Sequence, residues 1–170
     1  MKHLHLLRHA KSSWDDPALA DEDRPLTPRG RKAAARMAKH IKGAGLEPAI
    51  VLCTSALRAR QTLELMQSAI PKTTAIKIEP RLYGASSKEL ITRLRRLSPA
   101  APSVLLVGHN PAMQDLALDL ASEDQKVRAI RNKFPTAALV VLDVPIDEWK
   151  HLAAGVATLV DFVTPKGLKA

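Results

Sequence analysis

Apolar runs of strand length alternate with segments of helical periodicity along this chain. The runs predict strands over residues 2–7, 49–53, 74–78, 103–107, 137–142 and 156–163. Amphipathic helices are predicted between the first four strands and after the fourth. Strands that alternate with helices are typical of an α/β domain whose sheet is largely parallel. We therefore expect α/β architecture with a mainly parallel central sheet.

Capping residues mark where the predicted helices begin. Thr27 and Pro28 are a preferred N-cap and first helical residue, and they predict a helix from about 28 to 42. The later helices are expected to start at Thr54 or Ser55, at a capping box of Ser86 and Glu89, and at Asn110-Pro111. The segment from Lys11 to Leu26 has no helical or strand pattern and is too long for a simple connection.

Two histidines follow predicted strands at the points where loops begin. Arg8-His9-Ala10 comes after the first strand, and His109 comes after the strand at 103–107. In open α/β sheets, ligands bind outside the carboxyl ends of the strands. Two histidines and an arginine at such ends can converge on one crevice, which suggests an enzyme that acts on a phosphate.

Length and charge narrow the class of protein. A chain of 170 residues fits one domain, 1–170, and a formal charge of +9 favours anionic partners. Aromatic residues make up only 3% of the chain, so there is little on which nucleic-acid bases could stack. Nucleic acid is therefore not expected as a partner.

The sequence has no apolar stretch of about 18 residues and no recognisable leader at Met1-Lys2-His3-Leu4. We expect a cytoplasmic protein without a membrane partner. The single cysteine, Cys53, excludes an intrachain disulfide and is interpreted as a buried strand residue rather than a catalytic thiol.

Four sequence blocks together resemble the histidine phosphatase superfamily, and within it the small SixA-type phosphohistidine phosphatases. They are Leu6-Leu7-Arg8-His9-Ala10-Lys11-Ser12, Arg24-Pro25-Leu26-Thr27-Pro28-Arg29-Gly30, Arg58-Ala59-Arg60-Gln61-Thr62 and Gly108-His109-Asn110-Pro111. The blocks occur in the family's order and span most of the chain. The resemblance implies a three-layer α/β/α sandwich of the phosphoglycerate mutase-like type and a covalent phosphohistidine intermediate.

The residue types in these blocks suit phosphoryl transfer. A neutral imidazole is a competent nucleophile near pH 7, since its ordinary pKa is about 6.5, so His9 can attack phosphorus in line. Arg8 and Arg58 can bind the equatorial oxygens with planar guanidinium groups, and a protonated His109 can add a third cationic donor. These four residues are the predicted catalytic set.

Further residues are weaker candidates for phosphate binding. Arg24 belongs to the second block and could reach the phosphate from the long loop, although a salt bridge to Asp21 or Asp23 is the alternative. Lys11 and Ser12 lie beside the nucleophile, and Lys11 could equally be solvated. A metal site of His3, His5 and His9 is a minor alternative. No metal or other cofactor is expected.

The general acid is the main departure from the superfamily. Larger members use an acidic residue after the third strand to protonate an alcohol leaving group. Here Glu79 comes slightly early, and Gly84 lies near the expected position, which leaves Glu79 or Tyr83 as possible proton donors. An imidazole leaving group is far less basic than an alkoxide and needs less assistance. The absence of a clear acid therefore favours a P–N bond as the substrate.

We therefore expect a metal-independent phosphatase that hydrolyses phosphohistidine on a protein, such as one in a phosphotransfer or histidine kinase pathway, through phosphorylated His9. Two alternatives remain open. One is a small-molecule phosphomonoesterase of the same superfamily, and the other is a non-catalytic module that binds phosphate or nucleic acid. The sequence leaves the oligomeric state open.

Overall fold

The computed structural model describes residues 1–168, and within them six strands form one sheet. In chain order the strands are β1 (Lys2–Arg8), β2 (Ile50–Thr54), β3 (Ala75–Glu79), β4 (Ser103–Gly108), β5 (Leu139–Val144) and β6 (Thr158–Val163). Each lies within two residues of its predicted bounds. The order across the sheet is β3-β2-β4-β1-β5-β6. The first four strands in that order are parallel to one another, β5 is antiparallel to β1, and β6 is antiparallel to β5, which confirms a mainly parallel sheet.

Helices cover both faces of the sheet. They are α1 (Pro28–Gly43), α2 (Leu57–Met66), α3 (Ser87–Arg95), α4 (Ala112–Leu120) and α5 (Val127–Asn132). Buried side chains of α1 and α2 form one core with one face of the sheet, and those of α3, α4 and α5 form a second core with the other face. The expected three-layer α/β/α sandwich is confirmed. The six-residue α5 was not predicted, because it is too short to show a helical period.

Two predicted helix starts are correct in detail. The Thr27 hydroxyl accepts a hydrogen bond from the backbone N–H of Gly30 at 2.9 Å, and Pro28 opens α1. Ser86 and Glu89 form the predicted capping box of α3, in which each side chain accepts from the other residue's backbone N–H.

Two other predicted helix starts are wrong. The N-cap residue of α2 is Ala56, because the hydroxyl groups of Thr54 and Ser55 hydrogen-bond elsewhere. The N-cap position of α4 is Pro111, one residue later than expected, although the Asn110 side chain still accepts from the N–H of Gln114 at 3.2 Å. The Thr54 hydroxyl hydrogen-bonds to the ring of His109 instead of capping helix α2.

The long segment between β1 and α1 is an ordered loop. Ser12 and Leu26 form an isolated antiparallel bridge at its base, and Asp21–Asp23 form a single 3₁₀ turn near its far end. The N–H of Leu26 also donates to the Gln61 side chain on α2 at 2.8 Å. These contacts fix the loop beside the carboxyl end of β1.

The remaining expectations from the sequence concern Cys53, membrane-spanning helices and the end of the predicted domain. Cys53 is fully buried in β2, and burial raises the pKa of its thiol to about 12. No helix within residues 1–168 is long and apolar enough to cross a membrane. The last two residues of the predicted domain, 169 and 170, lie outside the described part of the chain.

A pair of glycine substitutions tests how tightly α1 packs against the loop. A Cβ added at Gly30 would lie 2.2 Å from the backbone oxygen of Lys11, whereas one added at the helix end, at Gly43, would meet nothing within 4 Å. We expect Gly30→Ala to lower the free energy of unfolding by about 1–3 kcal/mol. Gly43→Ala should leave it unchanged or raise it by up to about 1 kcal/mol. Urea denaturation checks both values, and equal effects of the two variants would contradict this packing.

Candidate active site

Two histidines lie together because neighbouring parallel strands bring them to one edge of the sheet. Arg8 at the end of β1 pairs in register with Gly108 at the end of β4. The backbone N–H of His9 continues this pairing and donates to the Gly108 carbonyl oxygen at 3.0 Å. His9 and His109 therefore leave adjacent strand ends, and their ring centroids are 5.0 Å apart.

The tautomer of His9 is set by the backbone. Its Nδ1–H donates to the carbonyl oxygen of Ala10 at 2.7 Å, which can only accept, so the proton lies on Nδ1. Burial, followed by the charges of His109, Arg58 and Arg8, lowers the pKa of His9 to about 3. At neutral pH the imidazole is therefore neutral, and the lone pair on its Nε2 accepts a long hydrogen bond from Nε–H of Arg58 at 3.4 Å.

Arg58 presents two edges of one guanidinium group to different partners. Its Nε lies 3.4 Å from His9 Nε2, while Nη1 and Nη2 donate to the backbone oxygen and the carboxylate of Asp21 at 2.7 and 2.9 Å. The buried Thr62 hydroxyl donates to the Arg58 carbonyl oxygen and accepts from the N–H of Ala10. Helix α2 and the end of β1 are thereby joined directly behind the nucleophile candidate.

Asp21 is a site residue that the sequence suggested only as a partner of Arg24. Its carboxylate accepts from Arg58, from Arg24 Nε at 3.2 Å and from the hydroxyl of Tyr83. The hydrogen bond from Tyr83, followed by that from Arg58, lowers the pKa of Asp21 to about 2. One ionised carboxylate thus connects Arg24 and Arg58 with Tyr83. In the sequence, the only signal for this role of Asp21 is its position three residues before Arg24.

Two buried polar atoms in this region have no hydrogen-bond partner within residues 1–168. They are Nε of Arg8, whose Nη1 donates to the carbonyl oxygen of Phe134 at 2.8 Å, and Nδ1 of His109. The other nitrogen of His109, Nε2, lies 2.7 Å from the Thr54 hydroxyl oxygen. A buried polar group without a partner costs about 1–3 kcal/mol, and such groups are found at functional sites.

The protonation of His109 differs from the expectation. Burial, followed by the charge of Arg58, lowers the pKa of His109 to about 4, so this histidine is neutral near pH 7 rather than protonated. Adding a phosphoryl anion nearby would raise the pKa again, because a negative charge favours the protonated ring.

Arg24, Lys11 and Ser12 are less directly connected to the two histidines than Arg8 and Arg58 are. Arg24 forms the salt bridge to Asp21 that the sequence offered as the alternative, and its guanidinium carbon lies 3.4 Å from the centroid of the Trp14 ring. Lys11 is exposed, whereas Ser12 is buried. Within residues 1–168, neither side chain makes a hydrogen bond to the arginines or histidines at the strand ends. Their direct role in phosphate binding stays a prediction.

Of the two suggested proton donors, Glu79 is a poor one. Its two carboxylate oxygens accept from Nε and Nη2 of Arg93 at 2.7 and 2.8 Å, and these bonds lower its pKa. Glu79 is therefore ionised at neutral pH and has no proton to give. Tyr83 does lie at the site, since its ring packs edge-on against His109 with centroids 5.5 Å apart.

The proposed alternative of a metal site at His3, His5 and His9 is wrong for this structure. His3 is exposed and lies 2.7 Å from the Asp143 carboxylate, whereas His5 is buried. Within residues 1–168, no three histidine, cysteine or carboxylate side chains converge in a way that could hold a metal ion.

Comparisons with known proteins identify the family of this chain. The family model described as histidine phosphatase superfamily, branch 1, matches residues 4–86. The phosphohistidine phosphatase SixA of Escherichia coli is 31% identical over 119 residues, which cover 69% of this chain and 73% of that protein. The chain therefore belongs to the histidine phosphatase superfamily.

Solved structures agree with this assignment. A protein from Nakamurella multipartitia assigned as phosphohistidine phosphatase SixA superposes with a TM-score of 0.85 at 27% identity, covering 96% of each chain. The protein histidine phosphatase SixA complexed with tungstate gives 0.81 at 25% identity, covering 98% of this chain and 99% of that one. These matches support a hydrolase that acts as a phosphatase.

The titration of three buried histidines tests the electrostatics of the site. Burial lowers the pKa values of His5, His9 and His109 to about 4, 3 and 4. We therefore expect the NMR signals of these rings to show no titration between pH 8 and 5.5. Single replacements by Gln assign the signals, and a midpoint for His9 between pH 6 and 7 would contradict a neutral nucleophile.

The same shifts fix the sign of the pH dependence of stability. Because the folded-state pKa values of these three histidines lie below their ordinary value, the unfolded chain binds more protons between about pH 6.5 and 4. The free energy of unfolding should therefore fall as the pH is lowered through this range. Urea denaturation at several pH values provides the measurement.

Proposed function

We propose that this protein hydrolyses phosphohistidine on a protein substrate through a covalent intermediate on His9. The observation that carries the proposal is the state of His9, which is neutral, protonated on Nδ1 and placed with Nε2 3.4 Å from Arg58 Nε. A lone pair beside a guanidinium group suits attack on an anionic phosphoryl group, because the cation binds the oxygens while nitrogen approaches phosphorus.

The reaction then has two steps. In the first, His9 Nε2 forms a bond to phosphorus as the P–N bond of the substrate breaks, and the electron pair of that bond goes to the leaving imidazole nitrogen, which takes up a proton from solvent. In the second, water attacks phosphorus, breaks the bond to His9 and returns a proton to solvent. Inorganic phosphate leaves, and His9 regains its lone pair. Neither step changes an oxidation state or requires a cofactor.

The phosphoryl oxygens would be bound by Arg8, Arg58 and His109. Arg8 Nε and His109 Nδ1 are the buried polar atoms without a partner, and Arg58 keeps its Nε edge beside His9. Planar guanidinium groups fit tetrahedral oxyanions through paired N–H donors. The complex of a SixA relative with tungstate, itself an oxyanion, supports such a site in this superfamily.

A P–N bond is favoured over a phosphate ester because the site offers no protonated carboxylic acid. Glu79 is ionised by Arg93, and the pKa of Asp21 lies at about 2. An alkoxide leaves slowly without a proton donor, whereas an imidazole leaves more readily because it is much less basic. Tyr83 lies next to His109, but its hydroxyl already donates to the Asp21 carboxylate and this hydrogen bond raises its pKa, so it is a weak acid as well.

We place the substrate on a phosphorylated protein of a phosphotransfer or histidine kinase pathway, in the cytoplasm. Relatives described as phosphohistidine phosphatases and as a protein histidine phosphatase support this assignment. A small-molecule phosphomonoesterase would use the same His9 but would need an acid for its alcohol product. A pure phosphate or nucleic-acid binder would tolerate the loss of His9.

The decisive experiment compares two substrates and two histidine variants. Phosphate release is measured from a phosphohistidine protein and from p-nitrophenyl phosphate, with EDTA present. We expect the wild type to prefer the P–N bond and His9→Ala to lose activity by on the order of 10³-fold or more, because the nucleophile is removed. His151→Ala, at an exposed histidine, should retain full activity.

Two results would contradict the proposal. Unchanged activity in His9→Ala would exclude this residue as the nucleophile. A preference for the ester over the P–N bond would favour the phosphomonoesterase.

A second substitution tests the role of Asp21. Its carboxylate holds the Nη end of Arg58 while leaving the Nε edge toward His9, so Asp21→Asn should loosen this arginine. We expect kcat to fall about ten- to hundredfold with little change in KM, because misplaced catalytic groups act mainly in the transition state. Asp23→Asn in the same 3₁₀ turn is the matched control. Tighter binding of inorganic phosphate with undiminished kcat would instead mean that Asp21 competes with the substrate.

A further inference from the structure

An open groove continues from the site along one edge of the protein. A cavity of about 250 Å³ is lined by His109 together with Leu82 and Ala85. Leu82 and Ala85 also line a larger groove of about 680 Å³, which extends between the end of β3 and helix α3 as far as Arg96. The two spaces therefore share a wall, and the second leads away from the histidines.

The larger groove carries positive charge that the fold itself does not neutralise. Arg81 and Arg96 line it, both are exposed, and neither forms a salt bridge with a carboxylate within residues 1–168. Of the two carboxylates in its wall, Glu79 is paired with Arg93, whereas Glu89 accepts the N–H of Ser86 and keeps its negative charge, so an excess of one positive charge remains.

The charge around the groove extends onto the edge strand β3. The positive charge of Lys77 acts on Glu79 together with those of Arg93 and Arg81. Ile78, 42% exposed, adds an apolar contact next to these cations. A surface with exposed cations around an apolar centre is suited to a partner that carries acidic side chains.

We propose that the groove between β3 and α3 is the docking surface for an acidic segment of the protein that carries the phosphohistidine. This inference rests on the proposed function and adds to it the part of the substrate that lies outside the phosphoryl site. The shared wall at Leu82 and Ala85 would let one segment place its phosphohistidine at His109 and its acidic residues at Arg81 and Arg96.

The groove can distinguish protein substrates from small ones. A small phosphoramidate that occupies the inner cavity beside His109 makes no use of the outer groove. A peptide with acidic flanks would gain attraction from exposed arginines, and attraction of this kind acts mainly on the association rate and weakens with salt. The two kinds of substrate should therefore respond differently when the groove charge is reversed.

The test uses one pair of charge reversals and a matched pair elsewhere. R81E/R96E reverses the groove, and R31E/R128E changes the net charge equally at exposed arginines on α1 and α5. The substrates are phosphoramidate, a synthetic peptide with one phosphohistidine flanked by glutamates, and the same peptide with serines in place of the glutamates.

We expect R81E/R96E to lower kcat/KM for the glutamate peptide about tenfold at low salt, with R31E/R128E within about twofold of wild type. Turnover of phosphoramidate should be equal in all three proteins, which also shows that the variants are folded. The serine peptide should lose little, and the difference between peptides should disappear at about 0.5 M salt.

Several results would overturn the docking surface. Equal losses in both double variants would mean that the overall charge acts, not the groove. An unchanged kcat/KM for the glutamate peptide in R81E/R96E would exclude the groove as its binding site. Loss of binding to a DNA duplex in R81E/R96E, with the peptide unaffected, would assign the groove to nucleic acid.

The proposed function can fail separately. If the wild type cleaves neither phosphoramidate nor phosphohistidine, fluorescence anisotropy of the labelled glutamate peptide without phosphate still measures docking. Weaker binding to R81E/R96E than to R31E/R128E would support the surface, and equal binding would reject it.

Discussion

The pairing of β1 with β4 is the interaction on which the site depends. These parallel strands keep Arg8 opposite Gly108, and the next backbone hydrogen bond joins His9 to the end of β4. Side chains along a strand alternate between the two faces of the sheet. If β1 slipped by one residue against β4, the side chains that lie beside each other at the two strand ends would point to opposite faces of the sheet. The fully buried β4 fixes this register, since both of its faces contribute to a hydrophobic core.

Arg58 is positioned by a second set of contacts, made by residues outside the strands. Arg58 comes from α2, and Asp21 from the loop holds one end of its guanidinium group. Thr62 then ties α2 to Ala10, directly after His9. The loop is in turn fixed to α2 by Gln61. Loop and helix therefore determine the direction of Arg58 together, which explains why the loop between β1 and α1 is long and yet ordered.

The sequence could predict those features that follow from local pattern. Strand runs, the Thr27 cap and the two strand-terminal histidines all show in the order of residues. Asp21 could not be assigned in this way, because its partners Arg58 and Tyr83 are distant in the chain and meet only in the folded protein. The prediction of Glu79 as a proton donor was wrong for a similar reason. Its partner Arg93 lies 14 residues later in the chain, on α3, and keeps the Glu79 carboxylate ionised.

Burial and charge act on the two histidines in the same direction, and this has a chemical consequence. Desolvation and the nearby guanidinium groups keep both rings neutral, so the site holds cations without protonating the proposed nucleophile, His9. Asp21 also stays ionised, because the hydrogen bond from Tyr83, followed by the hydrogen bond and charge of Arg58, lowers the pKa of its carboxyl group. A site built in this way is suited to an anion but supplies few protons. Chemistry with a weakly basic leaving group suits it better than chemistry that requires a strong acid, and a P–N bond to imidazole meets that condition.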